Sequence, residues 1–200
     1  MKEITVKVYD FNELIESVQK RVLDNFRNHA SINDAESVNV DYEYSLEKIM
    51  EVFGIVVIVN NDYTFNWKFN SEIDFHKPLL RWLNQSIFPL LNKGRYYSSN
   101  FRFKNGRYEY TYRYSKVLFD NYNCCLTGTY TDTAVDKMLN NAYKYVKDNY
   151  TTSQFIDKML HMFMEYWKKD VDECYTDEYI KEQIDSEGLE FFYDGKIYGE

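Results

Sequence analysis

Phe101-Arg102-Phe103-Lys104-Asn105-Gly106-Arg107-Tyr108-Glu109-Tyr110-Thr111-Tyr112-Arg113-Tyr114 is the stretch on which the reading of this chain turns. Asn105-Gly106 suits a two-residue turn with φ above zero at both positions, the connection that joins two antiparallel strands without splaying them. Such a turn sets Phe103 opposite Tyr108 and Phe101 opposite Tyr110. Side chains alternate along a strand, so Phe101, Phe103, Tyr108, Tyr110, Tyr112 and Tyr114 share one face. Arg102, Lys104, Arg107, Glu109, Thr111 and Arg113 share the other. The spacing predicts a ribbon with an aromatic side and a basic side.

The chain around it is acidic, with a net charge of −8, and the charge is unevenly spread. Residues 93–116 hold 7 bases and 1 acid, whereas residues 170–200 hold 11 acids and 2 bases. A general attraction to nucleic acid is not expected at this balance, but a local basic patch is. The 20 Tyr, 14 Phe and 3 Trp exceed what a core of this size requires. Tyrosine suits half-buried sheets and interfaces, and a codon bias towards Tyr, Asn and Lys is the other source of such an excess. With 2 Pro and 7 Gly there is no linker-like segment, so 1–200 reads as a single domain, with 176–200 as an acidic helix–hairpin appendage.

Periodicity marks out the elements. Ile4, Val6 and Val8 alternate as a strand over Glu3–Tyr9. Asp10 or Asn12 caps the start of a helix, and Val18, Val22 and Phe26 form its stripe over Ser17–Asn28. Ser31–Tyr44 is polar and reads as loop. Ser45 then caps a short helix, Leu46–Phe53, closed by Gly54. Ile55–Val59 and Tyr63–Phe69 make a hairpin across Asn60-Asn61-Asp62. A helix over Pro78–Leu91 precedes the ribbon, and a strand over Asn121–Thr127 succeeds it. Three helices then run from Thr131 or Asp132 to Asp148, from Thr152 to Cys174 and over Asp177–Ser186. A terminal hairpin pairs Leu189–Phe192 with Lys196–Tyr198. Strands and helices do not alternate as βαβ units. The expected class is α+β: an antiparallel sheet with the aromatic hairpin at its centre, packed against several helices.

Catalytic signatures are missing. No P-loop, G-x-S-x-G, HExxH or G-x-G-x-x-G is present, and no C-x-x-C suggests zinc. No cofactor is expected, and the chain reads as a binder rather than an enzyme. Asp157, His161 and Glu165 lie four apart on one helix face, which suits either a metal or base–carboxylate site or a solvated face. Cys124 and Cys125 are neighbours that point to opposite sides of a strand, so a packed thiol is the simpler reading. No apolar signal segment opens the chain, and the run Ile55–Val59 is too short to span a bilayer. With 3 Cys and no disulfide spacing, a cytoplasmic protein with reduced thiols is expected.

Two charged surfaces remain as binding candidates. Arg102, Lys104, Arg107 and Arg113 can contact phosphates, or the aromatic face, Tyr112 and Tyr114 included, can stack bases instead. Equally, the aromatic face can be core while the basic face is neutralised by solvent, by the acidic C-terminal region or by a twin subunit. Asp170, Asp172, Glu173, Asp177, Glu178, Glu182 and Asp185, with Glu187 and Glu190, form a carboxylate set. It either solubilises a helix or imitates a nucleic-acid backbone and draws in a basic groove.

The two ends carry a resemblance. Val6-Lys7-Val8-Tyr9-Asp10-Phe11-Asn12-Glu13-Leu14, running into Glu16–Val22, and the closing Ile184–Tyr198 with Glu190-Phe191-Phe192-Tyr193-Asp194-Gly195-Lys196 resemble a family of small acidic phage and prophage proteins of Firmicutes. Its members open with a strand, a Y-x-F-[DN]-E-L turn and a helix. The middle of the chain is poorly matched, and these motifs describe a scaffold, so no functional residue carries over. By analogy with other acidic phage proteins of this size, the resemblance implies an inhibitor of host defence, with anti-CRISPR proteins the leading case. The expected partner is then a host protein or ribonucleoprotein such as a CRISPR nuclease. An RNA- or single-strand-binding accessory protein using 101–114 is the alternative.

Overall fold

The computed structural model describes residues 6–70, 78–87, 100–104, 107–111, 126 and 130–199. The fold is α+β, with helices dominant. The chain divides into two compact units: Met1–Asn39 with Lys169–Glu200, and Val40–Lys168.

In the first unit, β1 (Tyr9–Asp10) pairs antiparallel with β6 (Glu190–Phe191), setting Tyr9 opposite Phe191. The residues that open and close the chain thus share one small sheet. A 3-10 turn, Phe11–Glu13, leads to α1 (Glu16–Asn28). The Asp10 N–H donates to the Glu13 carboxylate at 3.2 Å, and the Gln19 side chain donates to the carbonyls of Phe11 and Leu14. Tyr-x-Phe-x-Glu-Leu is therefore a packing device: Phe11 and Leu14 enter the core while Glu13 closes the turn. Val18, Val22 and Leu23 of α1 bury against Ile180, Ile184 and Phe191. Ile180 and Ile184 come from α7 (Asp177–Glu187), which Thr176 caps by accepting from the Tyr179 N–H at 3.2 Å.

The second unit is built on long helices. α2 (Ala30–Phe53) and α6 (Thr152–Glu173) each contribute to both units. The loop expected over Ser31–Tyr44 and the cap expected at Ser45 are corrected here, because α2 runs unbroken through both. Its buried positions include Ser31, Ala35, Tyr42, Ser45, Leu46, Ile49 and Phe53, a helical stripe whose first half is carried by small or polar residues. Ser45 is fully buried and donates to the Asp132 carboxylate at 3.0 Å, with the Thr131 hydroxyl also in contact. Asp132 in turn accepts from the Leu126 N–H at 2.9 Å.

β2 (Ile55–Val59) and β3 (Phe65–Phe69) pair in the register Ile55–Phe69, Val57–Trp67, Val59–Phe65. β3 starts at Phe65 rather than Tyr63, because Tyr63 sits at φ 63° within the turn and lays its ring edge-on to Trp167. Pro78 precedes α3 (Leu79–Trp82), which passes into a π turn, Leu83–Ile87. α4 (Thr133–Asn140) and α5 (Ala142–Lys147) replace one expected helix, with a break at Asn141. Phe155, Met159, Phe163 and Trp167 of α6 are all buried, the stripe that the sequence periodicity predicts.

β4 (Asn100–Lys104) and β5 (Arg107–Thr111) pair antiparallel with Phe101 opposite Tyr110 and Phe103 opposite Tyr108. Among the described residues the strands form three separate ribbons, β1–β6, β2–β3 and β4–β5. A single sheet centred on the aromatic hairpin is therefore not what these residues form. Asn105-Gly106, Tyr112, Arg113, Tyr114, Cys124 and Cys125 lie outside the described residues.

Candidate functional site

The acidic surface is assembled from the last turn of α6 and from α7. Asp172 and Glu173 are exposed at the end of α6, and Asp170 is partly buried there. Asp177 and Glu178 occupy the first turn of α7, where the helix dipole favours negative charge. Burial of Ile180 and Ile184 fixes the helix rotation and turns Glu178, Glu182 and Asp185 outward. Their i, i+4, i+7 spacing stacks them along one face, with Lys181 beside them. Among the described residues, Asp172, Glu173, Glu178, Glu182 and Asp185 make no ion pair.

Asp177 is different. Its carboxylate binds the Arg27 guanidinium, which also donates from Nη1 to Asp24 at 2.6 Å and from Nε to the Tyr175 carbonyl at 3.1 Å. Arg27 thereby ties α1 to the turn before α7, a role that sequence reasoning missed because the partner lies 150 positions away. The pair is half exposed, so screening limits its worth. Arg27→Ala is expected to lower stability by about 1 kcal/mol in urea unfolding tracked by far-UV ellipticity, with the deficit shrinking at high salt.

The Tyr179 hydroxyl donates to the Asp34 carboxylate at 3.3 Å. Cys174 lies beneath this surface, its thiol donating to the Asp170 carbonyl at 3.4 Å. Burial, and then the charge of Asp34, push the Cys174 thiol pKa up, which holds it in the unreactive protonated form.

The Asp157–His161–Glu165 face is accounted for by packing. The β2–β3 ribbon lies against it: the Trp67 indole donates to Asp157 at 3.2 Å, and the Phe65 ring meets the His161 ring at 4.8 Å. His161 stands 3.7 Å from Asp157, and Glu165 is exposed one turn on. Among the described residues, no group of three His, Cys, Asp or Glu is placed to hold a metal ion. No helix among them is long and apolar enough to cross a membrane.

In the ribbon, the register sets Arg102 opposite Glu109 and Lys104 opposite Arg107. The register thus places one base of the expected basic face at a position paired with an acid. Comparison with protein-family models, with curated proteins and with solved structures gives no match.

Proposed function

We propose that this protein is an inhibitory binding protein of the anti-CRISPR kind. It is phage-encoded and acts in the cytoplasm of a bacterial host, where it occupies the nucleic-acid groove of a defence nuclease. The observation that carries the reading is the row Glu178, Glu182 and Asp185, exposed and without ion pairs among the described residues, on a helix held firmly by its opposite face. A row of carboxylates on a rigid helix presents negative charge at the spacing of helical turns. That charge steers encounter with a basic groove and complements it once docked. Asp172 and Glu173 extend the same charge beyond the helix start. Asp177 contributes less, because Arg27 already neutralises it.

The test is capture of host nucleoproteins on the immobilised protein, and then cleavage assays on the nuclease recovered. Glu178→Lys, Glu182→Lys and Asp185→Lys together are expected to weaken capture and inhibition by more than about tenfold, and added RNA should compete with the wild type. Asp177 is left intact in this variant so that the fold is not disturbed. Inhibition unchanged by the triple reversal removes the acidic-docking reading. Binding of RNA by the isolated protein, lost in Arg102→Ala with Arg107→Ala, would instead assign function to the 101–114 ribbon.

A further inference from the structure

In the first unit, α1 and the C-terminal turn enclose a cleft of about 1100 Å³. Its floor is apolar: Val22, Phe26, Leu189 and Ile197. Along the α1 lip stand Arg21 and Asn25, four residues apart on one side of the helix, with His29 just beyond its end. The facing wall carries Phe192, Tyr198 and Lys196. The Phe192 and Tyr198 rings meet edge-on at 5.7 Å, and Tyr198 keeps 51% of its surface exposed.

We infer that this cleft binds a mononucleotide, a planar base carrying a single phosphate group. The apolar floor and the exposed tyrosine ring offer stacking area to a base, an interaction that tolerates any base because each has a π face. The cleft exceeds what a bare phosphate or a single side chain fills, and it lies just above the roughly 300–1,000 Å³ usual for small-molecule sites. Arg21 is preset at the lip: its Nη2 donates to the Asp194 carbonyl at 2.6 Å, which fixes the guanidinium plane. A guanidinium so held offers further N–H groups in the fork geometry that suits a phosphate. His29 and Lys196 add donors.

Charge sets the size of the anion. The lining bears two acids, Glu187 and Asp194, against Arg21 and Lys196, and Asp194 faces the Lys196 ammonium at 3.6 Å. This balance leaves no surplus positive charge, so the cleft holds at most one phosphate, through the N–H groups of Arg21 and Lys196. A strand of phosphates is not accommodated, because residues 170–200 carry 11 acids and 2 bases and repel a polyanion. The site is independent of the Glu178–Asp185 row and does not rest on the inhibitory reading.

Calorimetric titration of the full chain with AMP, adenosine, inorganic phosphate and a 5′-phosphorylated oligonucleotide tests the inference. AMP is expected to bind at least about tenfold more tightly than adenosine or phosphate alone, and more tightly than the oligonucleotide. Tyr198→Ala and Arg21→Gln should each weaken AMP about fivefold or more, while Lys20→Gln, on the same helix but outside the cleft, should leave it unchanged. Arg21 also holds the Asp194 carbonyl, so Tyr198→Ala, which removes a half-exposed ring whose ring contact is to Phe192, keeps the test sharp if Arg21→Gln loosens the fold. No binding of AMP at millimolar concentration, binding indifferent to Tyr198→Ala, or tighter binding of the oligonucleotide would each overturn the assignment.

Discussion

Asp132→Ala is expected to lower the stability of the second unit by about 3 kcal/mol. The carboxylate is fully buried and accepts from two separate segments, the Ser45 hydroxyl on α2 and the Leu126 N–H. Removing it takes the shared acceptor from the buried Ser45 hydroxyl, which keeps its contact to Thr131, and from the partly buried Leu126 N–H, and a buried donor that loses its acceptor costs desolvation. Asp132→Asn keeps one acceptor oxygen and should lose about half as much. Trp67, Trp82 and Trp167, the 3 tryptophans of the chain, all fall within Val40–Lys168. Tryptophan fluorescence in a urea titration therefore reports the right transition. A deficit below about 1 kcal/mol for Asp132→Ala would show that the network is solvated and contributes little.

The same network explains why part of the fold was hidden in the sequence. Ser45 precedes an apolar run, so it reads as a cap, because serine commonly satisfies the open N–H groups of a helix start. In the fold it is a mid-helix residue whose hydroxyl serves a partner 87 positions away. The segment before it reads as loop because its buried positions ahead of Tyr42 are Ser31 and Ala35, residues too small or polar to register as an apolar stripe. Elements with strong local signals were legible. Phe155, Met159, Phe163 and Trp167 repeat every four residues and mark the buried side of α6. Thr176 and Gly188 mark the two ends of α7. The carboxylates of that helix were visible by composition, but the split between Asp177, held by Arg27, and the outward Glu178, Glu182 and Asp185 depends on which face α7 buries. The cleft was not legible at all. Its lip and its wall come from opposite ends of the chain, which the β1–β6 pairing and the packing of α1 on α7 bring into one unit.

The turn that follows β6 brings a glycine close against α1. Gly195→Ala is expected to cost about 3 kcal/mol, whereas Gly188→Ala should cost only about 1 kcal/mol. Both glycines lie in the left-handed region, Gly188 at φ 62° and Gly195 at φ 84°, so both substitutions incur backbone strain. Their surroundings differ. A Cβ on Gly188 meets nothing within 4 Å, whereas one on Gly195 stands 2.9 Å from Val18 Cγ1 and 3.0 Å from Val22 Cγ2. Those methyl carbons belong to buried, β-branched residues of α1, which have little rotamer freedom with which to retreat. The added methyl must then push the turn away from α1, which also loosens the Arg21 contact to the Asp194 carbonyl. The difference between the two variants reports the overpacking at Val18 and Val22 together with the greater strain of φ 84° over φ 62°. The first unit lacks tryptophan, so hydrogen exchange at the α1 amides is the suitable measure. Faster exchange is expected at α1 in Gly195→Ala and not in Gly188→Ala. Equal losses in the two would mean that the close approach of the turn to Val18 and Val22 does not constrain it.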